Sequence, residues 1–168
     1  MIGALIHEAA TARTDDFEAA LVTQTPRLLG IAHAILRDAG EAEDAVQETW
    51  ELAWRSWDRL RDPERRGAWL RTICVRRCVR RQRGLRIRRH AEAHADVDTA
   101  GSLCGGYGRV EWELALVRLS VRQRAVLVLH YQLGYTLDEC GVHLGCRPGT
   151  VRQHLARALA KLRTSLDG

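Results

Sequence analysis

Lysine is almost missing from this chain. Of its 26 Lys and Arg residues only Lys161 is a lysine, so nearly all positive charge sits on guanidinium groups. Arginine binds phosphates and guanines in a bidentate fork, although a GC-rich genome produces the same bias. Proline is scarce too: Pro26, Pro63 and Pro148 each read as a helix start or a break between helices. No run approaches the roughly 18 apolar residues of a membrane span. The opening "MIGALIHEAATARTDD" carries no basic leader. These absences place the chain in the cytoplasm with no membrane insertion. Five cysteines, an odd number without paired spacing, form no disulfide framework and read as reduced thiols. No stretch alternates apolar and polar residues as a strand does, and no segment repeats. A GxxxxGK[ST] loop is absent, which removes nucleotide hydrolysis by that route.

What is present suits a soluble globular protein with real cores: 46% hydrophobic and 28% charged residues. A net charge of +5 points to a polyanionic partner, nucleic acid before an acidic membrane surface. Helical patterns cover 15–24, 26–37, 40–57 and 65–83, then 110–118, 120–132, 136–144 and 148–166. Between the two groups lies "HAEAHADVDTAGSLCGGYGR", rich in Gly, Ala and Asp. It reads as a flexible linker. The expected organisation is all-α: an N-terminal tail 1–14, a helical domain 15–86, a linker 87–109 and a second helical domain 110–168.

One segment, "DAGEAEDAVQETWELAW", carries six carboxylates and no basic residue. On a helix Ala42, Val46, Thr49, Trp50, Ala53 and Trp57 form a core stripe. Asp44, Gln47, Glu48 and Glu51 gather opposite. Such a face is either a solvated helix surface or a docking surface for a basic partner. Metal-dependent hydrolysis would need a matching carboxylate or His cluster elsewhere, and none occurs.

Residues 59–89 are its opposite, with thirteen arginines against Asp62 and Glu64. Arg59, Arg61, Arg65, Arg66, Trp69, Arg76, Arg80 and Arg83 are the candidates for nucleic-acid contact, cations for phosphates around an aromatic ring that can meet bases. Leu70, Ile73 and Cys74 point to the core instead. The alternative is a buried Trp69 ringed by solvated arginines.

The stretch "TLDECGVHLGCRPGTVRQHLARALAKLR" has the layout of a helix-turn-helix. A short apolar face (Leu137, Cys140, Gly141, Leu144) ends at Gly145, a left-handed turn residue. Pro148 then starts a helix with the stripe Val151, Leu155, Leu159, Leu162 and Leu166. Thr150, Arg152, Gln153, His154, Arg157 and Lys161 lie away from that stripe, with Gln153 and Arg157 opposite it: long side chains for base edges, cations for phosphates. Cys140, His143 and Cys146 have the spacing of zinc ligands but no evident fourth member, and Cys140 serves equally as a small core residue.

In this order the three segments resemble the extracytoplasmic-function (ECF) sigma factors of bacterial RNA polymerase. "EAEDAVQETW" is similar to region 2.2 of that family, "RGAWLRTICVRRCVRRQRG" to regions 2.3 and 2.4, and "LSVRQRAVLVLHYQLGY" with the helix-turn-helix to region 4. The resemblance implies two small helical domains, a region 2 bundle and a region 4 helix-turn-helix. It also implies a factor that is not an enzyme and needs no cofactor or metal. Asp44, Gln47, Glu48 and Glu51 would dock on a coiled coil of the largest subunit of core RNA polymerase. The basic helix would read and open the downstream (minus-ten) element, binding promoter DNA double- and single-stranded. The second helix of the helix-turn-helix would read the upstream (minus-thirty-five) element. An anti-sigma factor is the further partner the family implies. Arg76 stands where the family usually has Asn, and Arg147 where it usually has a Ser cap. An ordinary helix-turn-helix regulator would instead bind a symmetric duplex site without polymerase.

Overall fold

The computed structural model describes residues 2–60, 62–91 and 115–166. Most of the expected linker falls outside them, as do Arg61 and the side chain of Arg83. Every regular element among the described residues is helical: α1 (Ile2–Leu36), α2 (Ala39–Ser56), α3 (Pro63–Ala91), α4 (Val121–Leu127), α5 (Leu137–Leu144) and α6 (Pro148–Leu166).

Helix α1 runs unbroken through Pro26, where the sequence suggested two helices. The residues 2–14, expected as a tail, belong to it. Proline removes one helical hydrogen bond and crowds the preceding turn. The hydroxyls of that turn bond carbonyls one turn back, Thr23 Oγ1 donating to Ala19 and Thr25 Oγ1 to Leu21, at 2.9 and 2.6 Å, and so do not replace the bond to Val22 that Pro26 lacks. Beyond Pro26 the stripe Leu28, Ile31, Ala32 and Ile35 is wholly buried against α2 and α3. Burying each of the larger side chains contributes about 1.5–3 kcal/mol. Packing therefore outweighs the proline.

The turn into α2 is tight because Arg37 takes a left-handed φ of 63° and Asp38 caps the next helix, its carboxylate accepting from the Glu41 N–H at 2.8 Å. The apolar stripe of α2 is as the periodicity implies, with Ala42, Val46, Thr49, Trp50, Ala53 and Trp57 all buried. Phe17 of α1 sits among three tryptophans, its ring centroid 5.4 Å from Trp50, 4.9 Å from Trp54 and 4.9 Å from Trp57. All three contacts are edge-on, the arrangement aromatic quadrupoles favour. Pro63 opens α3, preceded by Asp62, which accepts from the Glu64 N–H at 3.0 Å.

In the second half, Ser120 with Gln123 and Thr136 with Glu139 form capping boxes at the starts of α4 and α5. A π-helical turn (Val128–Gln132) ends α4. Gly145 closes α5 in the left-handed region at φ 62°, as the sequence required. Gly141 allows α5 and α6 to cross closely: a Cβ there would lie 2.8 Å from the Cys146 carbonyl oxygen. The two halves share one core, in which Leu28, Ile35, Trp57 and Leu70 are continuous with Val121, Val126, Leu129, Cys140 and Val151.

Candidate nucleic-acid and partner interfaces

The acidic face of α2 divides into two parts. Gln47 and Glu51 are exposed and bond each other, Nε2 to Oε1, at 3.3 Å. Asp44 and Glu48 turn towards α3, where a single guanidinium gathers carboxylates from three successive places on α2. Arg81 Nε donates to Glu41 at 2.7 Å, Nη2 to Asp44 at 2.7 Å and Nη1 to Glu48. Arg77 adds a longer pair to Glu48 at 3.7 Å. The Glu41 hydrogen bond holds the Arg81 guanidinium firmly charged. Charge-assisted bonds of this kind are about twice as strong as neutral ones. The face presented outward is consequently less acidic than the sequence count implies. Sequence reasoning did not single out Arg81; its signal was the Glu41–Asp44–Glu48 spacing, which puts three carboxylates along one side of a helix.

The basic residues likewise separate into bound and free. Arg66 is fixed: it donates to Asp16 at 2.5 Å and lies over the Trp57 ring at 4.8 Å, while Asp16 also accepts from Trp57 Nε1 at 3.0 Å. Arg65 pairs with its neighbour Asp62 at 3.1 Å and remains largely exposed. Trp69 is half-buried, tilted against Trp57 with centroids 6.3 Å apart. Arg59 and Arg80 are exposed. Arg76 reaches away from α3 to the end of α5, donating to the carbonyls of His143 and Val142 at 3.1 and 3.2 Å. Arg59, Trp69, Arg76 and Arg80 line one cleft of about 870 Å³ with Val142, His143 and Gly145 on its far side.

Of the expected apolar stripe on α6, Val151 and Leu162 are buried and Leu155 and Leu159 half-buried, the Leu166 side chain lies outside the described residues, and Ala158, not in the expected stripe, is buried with them. Gln153 and Arg157 are exposed, Thr150 and His154 half-buried. Arg152 lies 3.8 Å from Asp138 of α5, a loose pair across the hairpin. Lys161 donates to the Arg118 carbonyl at 3.2 Å, so its ammonium sits at the rim of the face. Burial, then the charge of Arg157, lowers the His154 pKa below the ordinary imidazole value.

Three of the described cysteines serve as packing residues, while Cys146 is half-buried. Cys74, Cys78 and Cys140 are buried. A thiol hydrogen bond from Cys74, followed by burial, pushes Cys78 strongly up; burial first pushes Cys140 up to about 11. Among the described residues no three His, Cys, Asp or Glu side chains converge as metal ligands. No helix among them is long and apolar enough to cross a membrane.

The His143 ring lies tilted against Tyr135, centroids 4.3 Å apart, and its Nδ1 is buried without a hydrogen-bond partner. Burial and then the neighbouring Arg76 lower its pKa, opposed by Glu139 on its own helix. A histidine depressed below its unfolded value of 6.5 contributes stability that is full above that pH and lost as pH falls through the folded value. The imidazole signal of His143 should therefore titrate below 6.5 in an NMR pH series, and thermal stability should drop over the same interval. A midpoint at or above the free value contradicts this placement.

Comparison with known proteins finds matches to both halves of the chain. Residues 21–89 match the family model of sigma-70 region 2, and residues 109–162 that of sigma-70 region 4. The chain is 31% identical to the ECF RNA polymerase sigma factor SigL of Mycobacterium tuberculosis, over 98% of this chain and 94% of that protein. It is 29% identical to SigK of Mycobacterium ulcerans, over 99% of this chain and 94% of that one. Among solved structures it resembles the sigma factor RpoE from Bartonella quintana, in complex with the anti-sigma factor NepR. The TM-score is 0.73 and the identity 25%, covering 90% of this chain and 97% of that one. It also resembles CnrH, in complex with the cytosolic domain of CnrY, at a TM-score of 0.60 and 26% identity, covering 96% of this chain and 94% of that one. With two family regions in their expected order on an all-helical fold, the chain belongs to the ECF sigma factors of bacterial RNA polymerase. Such a factor is a transcription specificity protein, not an enzyme.

Proposed function

We propose that this chain binds core RNA polymerase, directs it to particular promoters and opens the DNA there. The observation that carries the reading is the separation of three surfaces on one fold: exposed Gln47 and Glu51 on α2, arginines around Trp69 on α3, and Gln153 with Arg157 on α6. The first suits a basic protein partner, the second unpaired promoter DNA, the third a duplex major groove. Residues 15–86 and 110–168 act as the two binding units joined by 87–109. An anti-sigma factor is the expected inhibitor, a reading supported by the similarity to RpoE, which was solved with one. Run-off transcription with purified core polymerase tests the whole. Transcripts from a specific promoter only when the chain is present support it, and promoter binding at a symmetric site without polymerase would favour a plain regulator.

Within α6, Arg157 is expected to read a base. Arginine to guanine is worth about 1–3 kcal/mol of discrimination, so Arg157→Ala should relax preference at one position of the upstream element. Lys161→Ala should weaken all promoters evenly and flatten the salt dependence. Transcription from randomised upstream elements distinguishes the two, and a uniform loss in Arg157→Ala would reduce Arg157 to a phosphate contact.

A further inference from the structure

The cleft between α3 and the end of α5 has the size of a small-molecule site. Its volume of about 870 Å³ lies within the range of about 300–1,000 Å³ that ligand pockets occupy. Its charge is one-sided. Arg59, Arg76, Arg77 and Arg80 line it, and no Asp or Glu does. Only Arg77 has a carboxylate within reach, Glu48 at 3.7 Å. Arg59 and Arg80 are exposed and have no hydrogen-bond or ion-pair partner among the described residues. Arg76 is held in place by the carbonyls of Val142 and His143, at 3.2 and 3.1 Å. Those acceptors engage its Nη2 and Nε, leaving Nη1 and a positive charge that no carboxylate balances.

The remaining lining is aromatic or apolar. Trp69 precedes Arg76 and Arg80 on α3 by about two and three turns, so the ring and both guanidiniums share one face. The indole is half-buried and tilted against Trp57, which fixes its position, and Ile73 and Val142 line the same space. A concave cationic site with low-dielectric walls focuses its field on an anion. Guanidinium forks match phosphate oxygens, and an indole face takes a stacked base. A carboxylate ligand would bring too little charge for so many cations. Inorganic polyphosphate would leave the indole and the apolar wall without a partner. A nucleotide with several phosphates supplies both halves of the match.

We propose that this cleft is a small-molecule site for a purine nucleoside di- or triphosphate, its base on Trp69 and its phosphates on Arg59, Arg76 and Arg80. The site goes beyond the promoter reading and does not depend on it. Where that reading holds, an occupied cleft withholds Trp69 and Arg80 from DNA.

Isothermal titration calorimetry of the full chain tests it, at about 0.15 M salt to screen diffuse attraction. The probes are ATP, adenosine, inorganic triphosphate and a short single-stranded oligodeoxythymidine. The expected result is one ATP bound per chain, at least about tenfold more tightly than adenosine or triphosphate alone. Arg80→Ala should weaken ATP about tenfold, the scale of one charged hydrogen bond. Trp69→Leu should remove the advantage of ATP over triphosphate. Arg163→Ala, which deletes an exposed cation of α6 outside the cleft, should leave ATP affinity as it is. Equal losses in Arg80→Ala and Arg163→Ala overturn the site, since attraction would then be spread over a basic surface. Triphosphate bound as tightly as ATP overturns it too, and so does binding of the oligonucleotide but not of ATP. Arg80 is exposed and without a partner, so its variant decides even if Trp69→Leu does not fold. Run-off transcription tests the sigma-factor reading separately, and its failure leaves the titrations unaffected.

Discussion

Replacing Gly141 by valine should unfold the helix-turn-helix while leaving α1 to α3 folded. A Cβ at this position meets the Cys146 carbonyl oxygen at 2.8 Å, and that obstacle is backbone, in a turn where the Cys146 N–H already bonds the Gly141 carbonyl at 3.0 Å. A flexible side chain could move aside; a turn pinned between α5 and α6 cannot. Overpacking commonly costs about 1–3 kcal/mol and more when nothing can relax. For a unit this small the melting midpoint should fall by roughly 10 °C or more. Gly149 is the control: a Cβ there meets nothing within 4 Å. Gly149→Ala should be neutral or stabilise by about 0.4–1 kcal/mol through the unfolded chain. Scanning calorimetry of both variants measures the difference, and equal midpoints would disprove the close crossing.

The second large effect is expected on α2. Gln47→Arg combined with Glu51→Arg should abolish capture of core polymerase, with the circular dichroism spectrum unchanged. Both side chains are exposed and bond only each other. Like charges brought together at an interface cost several kcal/mol, and each 1.4 kcal/mol is tenfold, so a loss of about a hundredfold is the scale. Asp44 and Glu48 are poorer choices despite lying on the same helix. Reversing either sets a cation against Arg81, and the α2–α3 junction would suffer before any partner arrived. Undiminished pull-down by the folded Gln47/Glu51 variant would remove the docking assignment.

The sequence was legible where one local rule acted alone. The stripe of α2, the left-handed Gly145 and the extent of α6 all follow from periodicity and turn chemistry. The break expected at Pro26 did not occur, because its cost is outweighed by the buried stripe beyond it. That stripe is not visible to a rule that reads proline as punctuation. Charge was the least transparent property. Counting arginines around Trp69 could not tell Arg66, held by Asp16 and Trp57, from exposed Arg59 and Arg80. Nor could any local pattern show Arg124 bonding a carbonyl 89 residues away.

The aromatic cluster around Phe17 makes the protein an uneven optical reporter. Trp50, Trp54, Trp57 and Trp69 all belong to α2, the turn after it, or α3, while α4, α5 and α6 contain no tryptophan. The fifth, Trp112, lies within the region 4 match; with Trp112→Phe in place, indole emission follows the first three helices alone, whereas the far-ultraviolet helical signal weighs every turn alike. Coincident denaturation curves from the two probes would mean that the halves melt as one cooperative block. Curves that separate would give the stability of each half from a single sample, without cutting the chain.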